Sequence, residues 1–97
     1  MKNQEIAKIF YSIARYLEMD GVAFKPYAYE KAGDSLEVLE QDVGEIYDKG
    51  GLKALMEIPG VGKNIADHIE EYLKSGKIKI YEQLKKKLPL KIDELIK

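Results

Sequence analysis

Several features are missing from this sequence of 97 residues. It contains no cysteine, which excludes disulfide bonds, thiolate metal sites and thiol nucleophiles. No apolar run approaches the roughly 18 residues of a membrane-spanning helix, and the N-terminus leads into amphipathic sequence without a signal-peptide core. Alternating β-branched runs, low-complexity segments and internal repeats are absent as well. These absences predict a soluble, cytoplasmic, helical domain that does not interact with membranes.

Charge is distributed unevenly along the chain. The formal net charge is −1, which argues against a nucleic-acid partner, because domains that bind nucleic acid are commonly basic. Residues 1–62 hold seven Lys or Arg and eleven Asp or Glu, whereas residues 63–97 hold nine Lys and six acidic residues. An excess of lysine of this kind marks either a solvated helix face or a surface that binds an anionic partner.

Two helices are predicted in the first part of the chain. Apolar residues recur at three- and four-residue intervals over Ile6, Ile9, Phe10, Ile13, Ala14 and Leu17. Asn3 is expected to cap this first helix and Gly21 to end it. Pro26 suits the first turn of a second helix. Gly33 inside that helix is expected to mark a close contact with another helix, because glycine is otherwise unfavourable there.

Shorter helical segments are predicted in the rest of the chain. Asp42 is expected to cap a third helix, which the glycine pair at 50–51 terminates. Further amphipathic segments extend to Pro89, which closes the last helix. We therefore predict a compact all-α bundle of four to five short helices, with a domain over residues 1–89. The tail 90–97 is interpreted as the start of a further segment of a longer protein.

The run Ile58–Lys63 predicts a tight turn between two helices. Pro59 lacks a backbone donor, and both Gly60 and Gly62 readily take positive φ angles, so the chain must turn tightly here. The helix that follows has its apolar face at Ile65, Ala66, Ile69 and Leu73. Its free backbone N–H groups and its dipole favour a phosphate at this turn. The alternative interpretation is an ordinary corner between helices.

The sequence around the turn resembles a known motif. The run 55–66, Leu-Met-Glu-Ile-Pro-Gly-Val-Gly-Lys-Asn-Ile-Ala, looks like a helix-hairpin-helix DNA-binding motif that would span about residues 52–75. Residues 69–77 extend the match, and residues 24–32 are similar to the second helix of one group of such proteins. Together with the first helix, these segments resemble the small N-terminal domain of X-family DNA polymerases. In some members this domain is a deoxyribose-phosphate lyase.

This resemblance implies a set of binding residues. Backbone amides around Gly60 and Gly62 would hold a DNA phosphate. Lys25 would hold the 5′-phosphate at a gap, and Tyr29 would lie beside the lyase pocket. The residues predicted to contact DNA are Gly60, Val61, Gly62, Lys63, Asn64, Lys25, Tyr29, Lys74 and Lys77. The resemblance also implies a monovalent cation, K⁺ or Na⁺, on the backbone carbonyls of Met56, Ile58 and Val61.

The lyase chemistry of the family depends on a lysine that this chain lacks. In that chemistry a neutral amine attacks the sugar aldehyde and forms a Schiff base, which allows β-elimination. His68 occupies the matching position, and Asn64 likewise replaces a family lysine. Imidazole cannot form the iminium, so His68 is interpreted as a hydrogen-bonding or proton-carrying group, or as an ordinary surface histidine. Lys63, Lys25 or Lys31 would have to serve as the nucleophile instead.

The sequence therefore predicts sequence-independent DNA binding at gaps or 5′-phosphate ends. On this hypothesis the chain is the monomeric N-terminal domain of an X-family polymerase that acts in base excision DNA repair and continues into its polymerase domains. It would be nucleoid-associated in a prokaryote. Two alternatives remain open: an abasic-site lyase with a relocated lysine, and a helical protein-interaction module whose acidic N-terminal half meets a partner.

Overall fold

Five helices make up the described part of the chain. The computed structural model describes residues 2–21 and 25–87. The helices are α1 (Lys2–Met19), α2 (Lys25–Val38), α3 (Val43–Leu55), α4 (Lys63–Ser75) and α5 (Lys79–Lys87). No strand occurs in these ranges, so the predicted all-α fold is confirmed. None of the five helices has both the length and the apolar content that a membrane span requires. The predictions for Pro89 and the tail 90–97 lie outside the described residues.

The helices α1 and α2 form the central pair of the domain. The helix α1 packs along α2, α5 packs on α1, and α4 packs on α3. Phe10 of α1 meets Tyr29 of α2 edge to face, with ring centroids 5.7 Å apart. Fully buried core residues include Ile6, Phe10, Ile13, Leu36, Leu55, Ile69 and Ile78. The apolar faces predicted from the helical spacing therefore point into one shared core.

Gly33 of α2 is in close contact with α1, as its position inside a helix predicts. A β-carbon at Gly33 would lie 2.8 Å from Cε1 of Tyr11 on α1, so only glycine admits that ring. The Tyr11 hydroxyl donates to Asp34 and, at 2.9 Å, to Glu37. Burial and these two hydrogen bonds raise the pKa of Tyr11 above its ordinary value. The ring is therefore fixed at both ends, with its edge against Gly33 and its hydroxyl between two carboxylates.

Asn3 does not cap α1, and that prediction is wrong. The helix begins at Lys2, and Asn3 lies inside its first turn with a side chain that is 0% exposed. The Asn3 amide donates to the Gln41 carbonyl at 2.9 Å, and Oδ1 accepts the Val43 N–H at 2.9 Å. Asn3 thus joins α1 to the connection that leads into α3. A long-range contact has displaced the local role that asparagine favours at a helix start.

The range of α3 contains two helical stretches, which are divided at the glycine pair 50–51. Asp42 caps α3 as predicted, because its side chain accepts the Gly44 N–H at 3.0 Å. Gly51 has φ 67° and ψ −158°, which breaks the helix with a kink, and helical structure resumes as far as Leu55. The first helical stretch therefore ends at the pair 50–51, as predicted. The short segment after the kink is the helical turn that leads into the hairpin.

Candidate nucleic-acid interface

The hairpin between α3 and α4 is a tight turn anchored in the core. The Val61 N–H donates to the Ile58 carbonyl at 3.0 Å. With Pro59 second, Gly60 third and a Gly60 φ of 81°, this is the pattern of a type II turn. The side chains at its two ends are buried, Ile58 with 6% and Val61 with 5% of its surface exposed. These two apolar anchors fix the orientation of the backbone between them.

Gly62 starts α4 without using the conformational freedom of glycine. Its φ of −91° and ψ of −169° are extended values that any residue adopts, whereas Gly60 has a positive φ. No side chain caps the helix at this position, and a β-carbon here would meet no atom within 4 Å. The first N–H groups of α4 have no partner inside the helix. A glycine at this position leaves them accessible from outside.

Lys63 adds a positive charge directly after Gly62, but part of that charge is compensated. Its ammonium lies 3.4 Å from the carboxylate of Asp67, one turn further along α4. The Lys63 side chain is 68% exposed, so the pair contributes little to stability. Lys63 is therefore free to exchange Asp67 for another anion.

A cavity of about 210 Å³ lies beside the hairpin, between α2, α4 and α5. Its lining residues are Lys25, Ala28, Tyr29, Asn64, Ile65, His68 and Ile80. The cavity thus brings together four residues from two helices that the sequence predicts for binding or chemistry: Lys25, Tyr29, Asn64 and His68. Asn64 belongs both to the start of α4 and to the cavity, because it lies in the first turn of that helix and is one of the lining residues.

Both ring nitrogens of His68 have partners. Nε2 lies 3.1 Å from the Tyr29 hydroxyl, and Nδ1 lies 3.4 Å from Oε1 of Glu71. Burial first, and then the charge of Glu71, raises the pKa of Tyr29, so the tyrosine keeps its proton. A neutral imidazole satisfies this geometry by accepting from Tyr29 and donating to Glu71. His68 is thus an oriented, hydrogen-bonded imidazole in the cavity wall.

Glu71 holds two parts of the cavity wall in place through hydrogen bonds, and the sequence did not predict this role. Its second oxygen, Oε2, accepts the Lys79 N–H at 2.6 Å and so caps the start of α5. The same side chain therefore orients His68 and holds the helix that places Ile80 in the cavity wall. No local signal identifies such a cap, because acceptor and donor belong to different helices.

Two of the lysines that were predicted to contact DNA lie away from the hairpin. Lys74 is in the last turn of α4, about 16 Å from Lys63 along the axis at 1.5 Å per residue, and Lys77 follows the end of that helix. The Lys74 ammonium lies 3.8 Å from Glu70. These lysines are not brought together with the hairpin or the cavity. Any DNA phosphate that they contact is therefore a different phosphate from one bound at the hairpin or in the cavity.

Comparison with known proteins identifies the domain type. A family model described as a helix-hairpin-helix domain matches residues 1–78, which include α1 to α4 and the hairpin. No curated protein matches the chain at a significant level. The chain therefore belongs to the helix-hairpin-helix domain family, and this membership implies binding of nucleic acid.

Proposed function

We propose that this domain binds DNA without sequence specificity by holding a backbone phosphate at its hairpin. The observation that carries the proposal is the open start of α4, where Gly62 provides no side-chain cap and no β-carbon above the free N–H groups. Such groups and the positive end of the helix dipole attract a phosphate. Contacts of this kind position the protein on the backbone and read no base.

The proposal extends to gaps that carry a 5′-phosphate. The cavity beside the hairpin is lined by Lys25 and Asn64, whose ammonium and amide are groups that bind a phosphate. Asn64 borders both features, so a strand that ends in the cavity would pass the hairpin. A gap supplies such a strand end next to a continuous backbone, whereas intact duplex does not.

The resemblance to X-family polymerases supports a role in base excision DNA repair. On this proposal the domain is the monomeric N-terminal part of a repair polymerase, in the cytoplasm or on the nucleoid, and nucleotidyl transfer belongs to domains beyond it. The hairpin would also hold K⁺ or Na⁺ on the carbonyls of Met56, Ile58 and Val61. Ile58 already accepts one turn hydrogen bond, and its second lone pair remains for a cation. Carbonyl oxygens suit an alkali ion.

We expect a gapped duplex with a 5′-phosphate to bind more tightly than the same duplex with a 5′-hydroxyl, and intact duplex to bind most weakly. The reason is that only the first DNA offers a phosphate to both the hairpin and the cavity. Fluorescence anisotropy titrations of the three DNAs at several KCl concentrations measure this order. The logarithm of the affinity should fall with the logarithm of salt by about 0.9 for each phosphate contacted. Equal affinities without salt dependence would contradict the proposed function.

Borohydride treatment on a 5′-deoxyribose-phosphate DNA is expected to trap no covalent adduct with the wild-type domain. His68 cannot form the iminium, and Lys63 points to Asp67 outside the cavity lining. The variant His68→Lys places an amine in the cavity and should give a trapped adduct on a denaturing gel. An adduct with the wild-type domain would instead assign lyase activity to a lysine that the wild-type chain already contains. Lys25→Gln then tests the lysine that lines the cavity.

A further inference from the structure

Lys31 on α2 lies against the hairpin, far from it in sequence. A β-carbon at Gly60 would lie 3.1 Å from Cγ and 3.6 Å from Cδ of Lys31. Ser35, one turn further along α2, places its hydroxyl 3.4 Å from the same point. The aliphatic stem of Lys31 therefore covers one side of the turn, and its ammonium lies only two bonds beyond Cδ.

The charge of Lys31 has no counterpart in the described part of the protein. Lys31 is exposed, and none of the ion pairs among residues 2–21 and 25–87 includes it. Lys63, the lysine on the α4 side of the turn, is paired with Asp67 at 3.4 Å. Of these two lysines beside the hairpin, Lys31 thus has the uncompensated charge.

We propose that Lys31 is a phosphate-binding residue of the hairpin and pairs with the same DNA phosphate that the α4 N–H groups hold. The proposal rests on the proposed function of the hairpin. A cation beside the start of a helix is unfavourable in the free protein, because the helix dipole is positive at that end. A phosphate between the ammonium and the N–H groups removes this conflict and forms charge-assisted hydrogen bonds with both.

This arrangement gives Gly60 a second role besides its turn geometry. The positive φ of 81° favours glycine at this position, and the missing β-carbon provides the space in which the Lys31 stem lies. The stem packs on the turn and so loses part of its rotational freedom before any ligand binds. A lysine whose stem is already packed costs less entropy to fix on the phosphate than a freely rotating one.

The test compares Lys31→Gln with the wild-type domain on gapped DNA that carries a 5′-phosphate. Glutamine keeps most of the stem, so the melting temperature should stay unchanged. We expect the affinity at low salt to fall roughly fivefold to tenfold, and the salt slope to decrease by about one phosphate contact. Lys31→Arg retains the charge and should bind like the wild type. Lys86→Gln removes an exposed lysine of α5 that has no described ion pair and serves as the matched control.

The variants distinguish a failure of the Lys31 assignment from a failure of the proposed function of the hairpin. If Lys31→Gln binds as well as Lys86→Gln while Gly62→Ser binds weakly, the hairpin holds phosphate and the assignment of Lys31 is overturned. If Gly62→Ser also binds like the wild type, the proposed function of the hairpin fails. A decrease for Lys31→Gln that exceeds the decrease for Lys63→Gln supports the assignment, because Lys63 already has Asp67 as its partner.

Discussion

Replacing Asn3 with alanine is expected to lower the free energy of unfolding by about 3 kcal/mol, from the hydrogen bonds and packing that are lost. The side chain is 0% exposed, and both ends of its amide are used. Alanine would leave the Val43 N–H and the Gln41 carbonyl without this partner and would create a small void. Urea unfolding followed by circular dichroism measures the change.

Gln4→Ala provides the control for Asn3→Ala. It removes an exposed amide from the next position of the same helix, so it should change the stability by less than about 0.5 kcal/mol. If both variants lose the same stability, the hydrogen bonds of Asn3 contribute nothing beyond helix propensity. Asn3→Asp retains the acceptor for Val43 but loses the donor to Gln41, and it should also be strongly destabilising near neutral pH.

The hydrogen bonds of Asn3 also bear on the hairpin. They hold Gln41 in the connection between α2 and α3, where it borders a groove with Ser35, Leu39, Ile58 and Pro59. Ile58 and Pro59 of the turn therefore face, across this groove, a connection that a residue from the first turn of α1 keeps in place. Asn3 therefore fixes one wall of the groove beside the hairpin, although Asn3 itself touches no proposed ligand.

The features that could be predicted from the sequence depend on neighbouring residues. Asp42 caps the helix that begins directly after it, and Pro59 with Gly60 forms the turn within four residues. Helical spacing likewise predicts which side of α1 is buried, because that pattern repeats along a single element. Gly33 belongs with them, since a glycine inside a helix predicts a close contact even when the partner, Tyr11, is unknown.

The features that could not be predicted depend on residues that are distant in the chain. Asn3 satisfies a local rule for a helix cap and is used instead between helices, because burial favours the contact with Val43. Glu71 caps α5 from α4, and Lys31 meets the hairpin from α2. The grouping of Lys25 with His68 was implied only by the resemblance, since no spacing rule relates residues on α2 and α4.

Gly62→Ser is expected to weaken DNA binding by roughly tenfold or more, the equivalent of about 1.4 kcal/mol, without loss of stability. The backbone at Gly62 already has the extended shape of a helix cap, and the site has room for a side chain. Serine should cap α4 and raise the free energy of unfolding by a few tenths of a kcal/mol. The same hydroxyl would occupy an N–H group that the proposed phosphate needs. Anisotropy and urea unfolding measure the two effects.

Gly60→Ala is the matched comparison, and it should behave in the opposite way. Alanine at a φ of 81°, with Lys31 Cγ 3.1 Å away, is expected to cost about 1–3 kcal/mol of stability. We therefore expect the fold to require glycine at position 60 and DNA binding to require glycine at position 62. If Gly62→Ser gained stability and kept its affinity for DNA, the free N–H groups of α4 would not be the binding site. The hairpin would then be only a corner between two helices, as in a protein-interaction module.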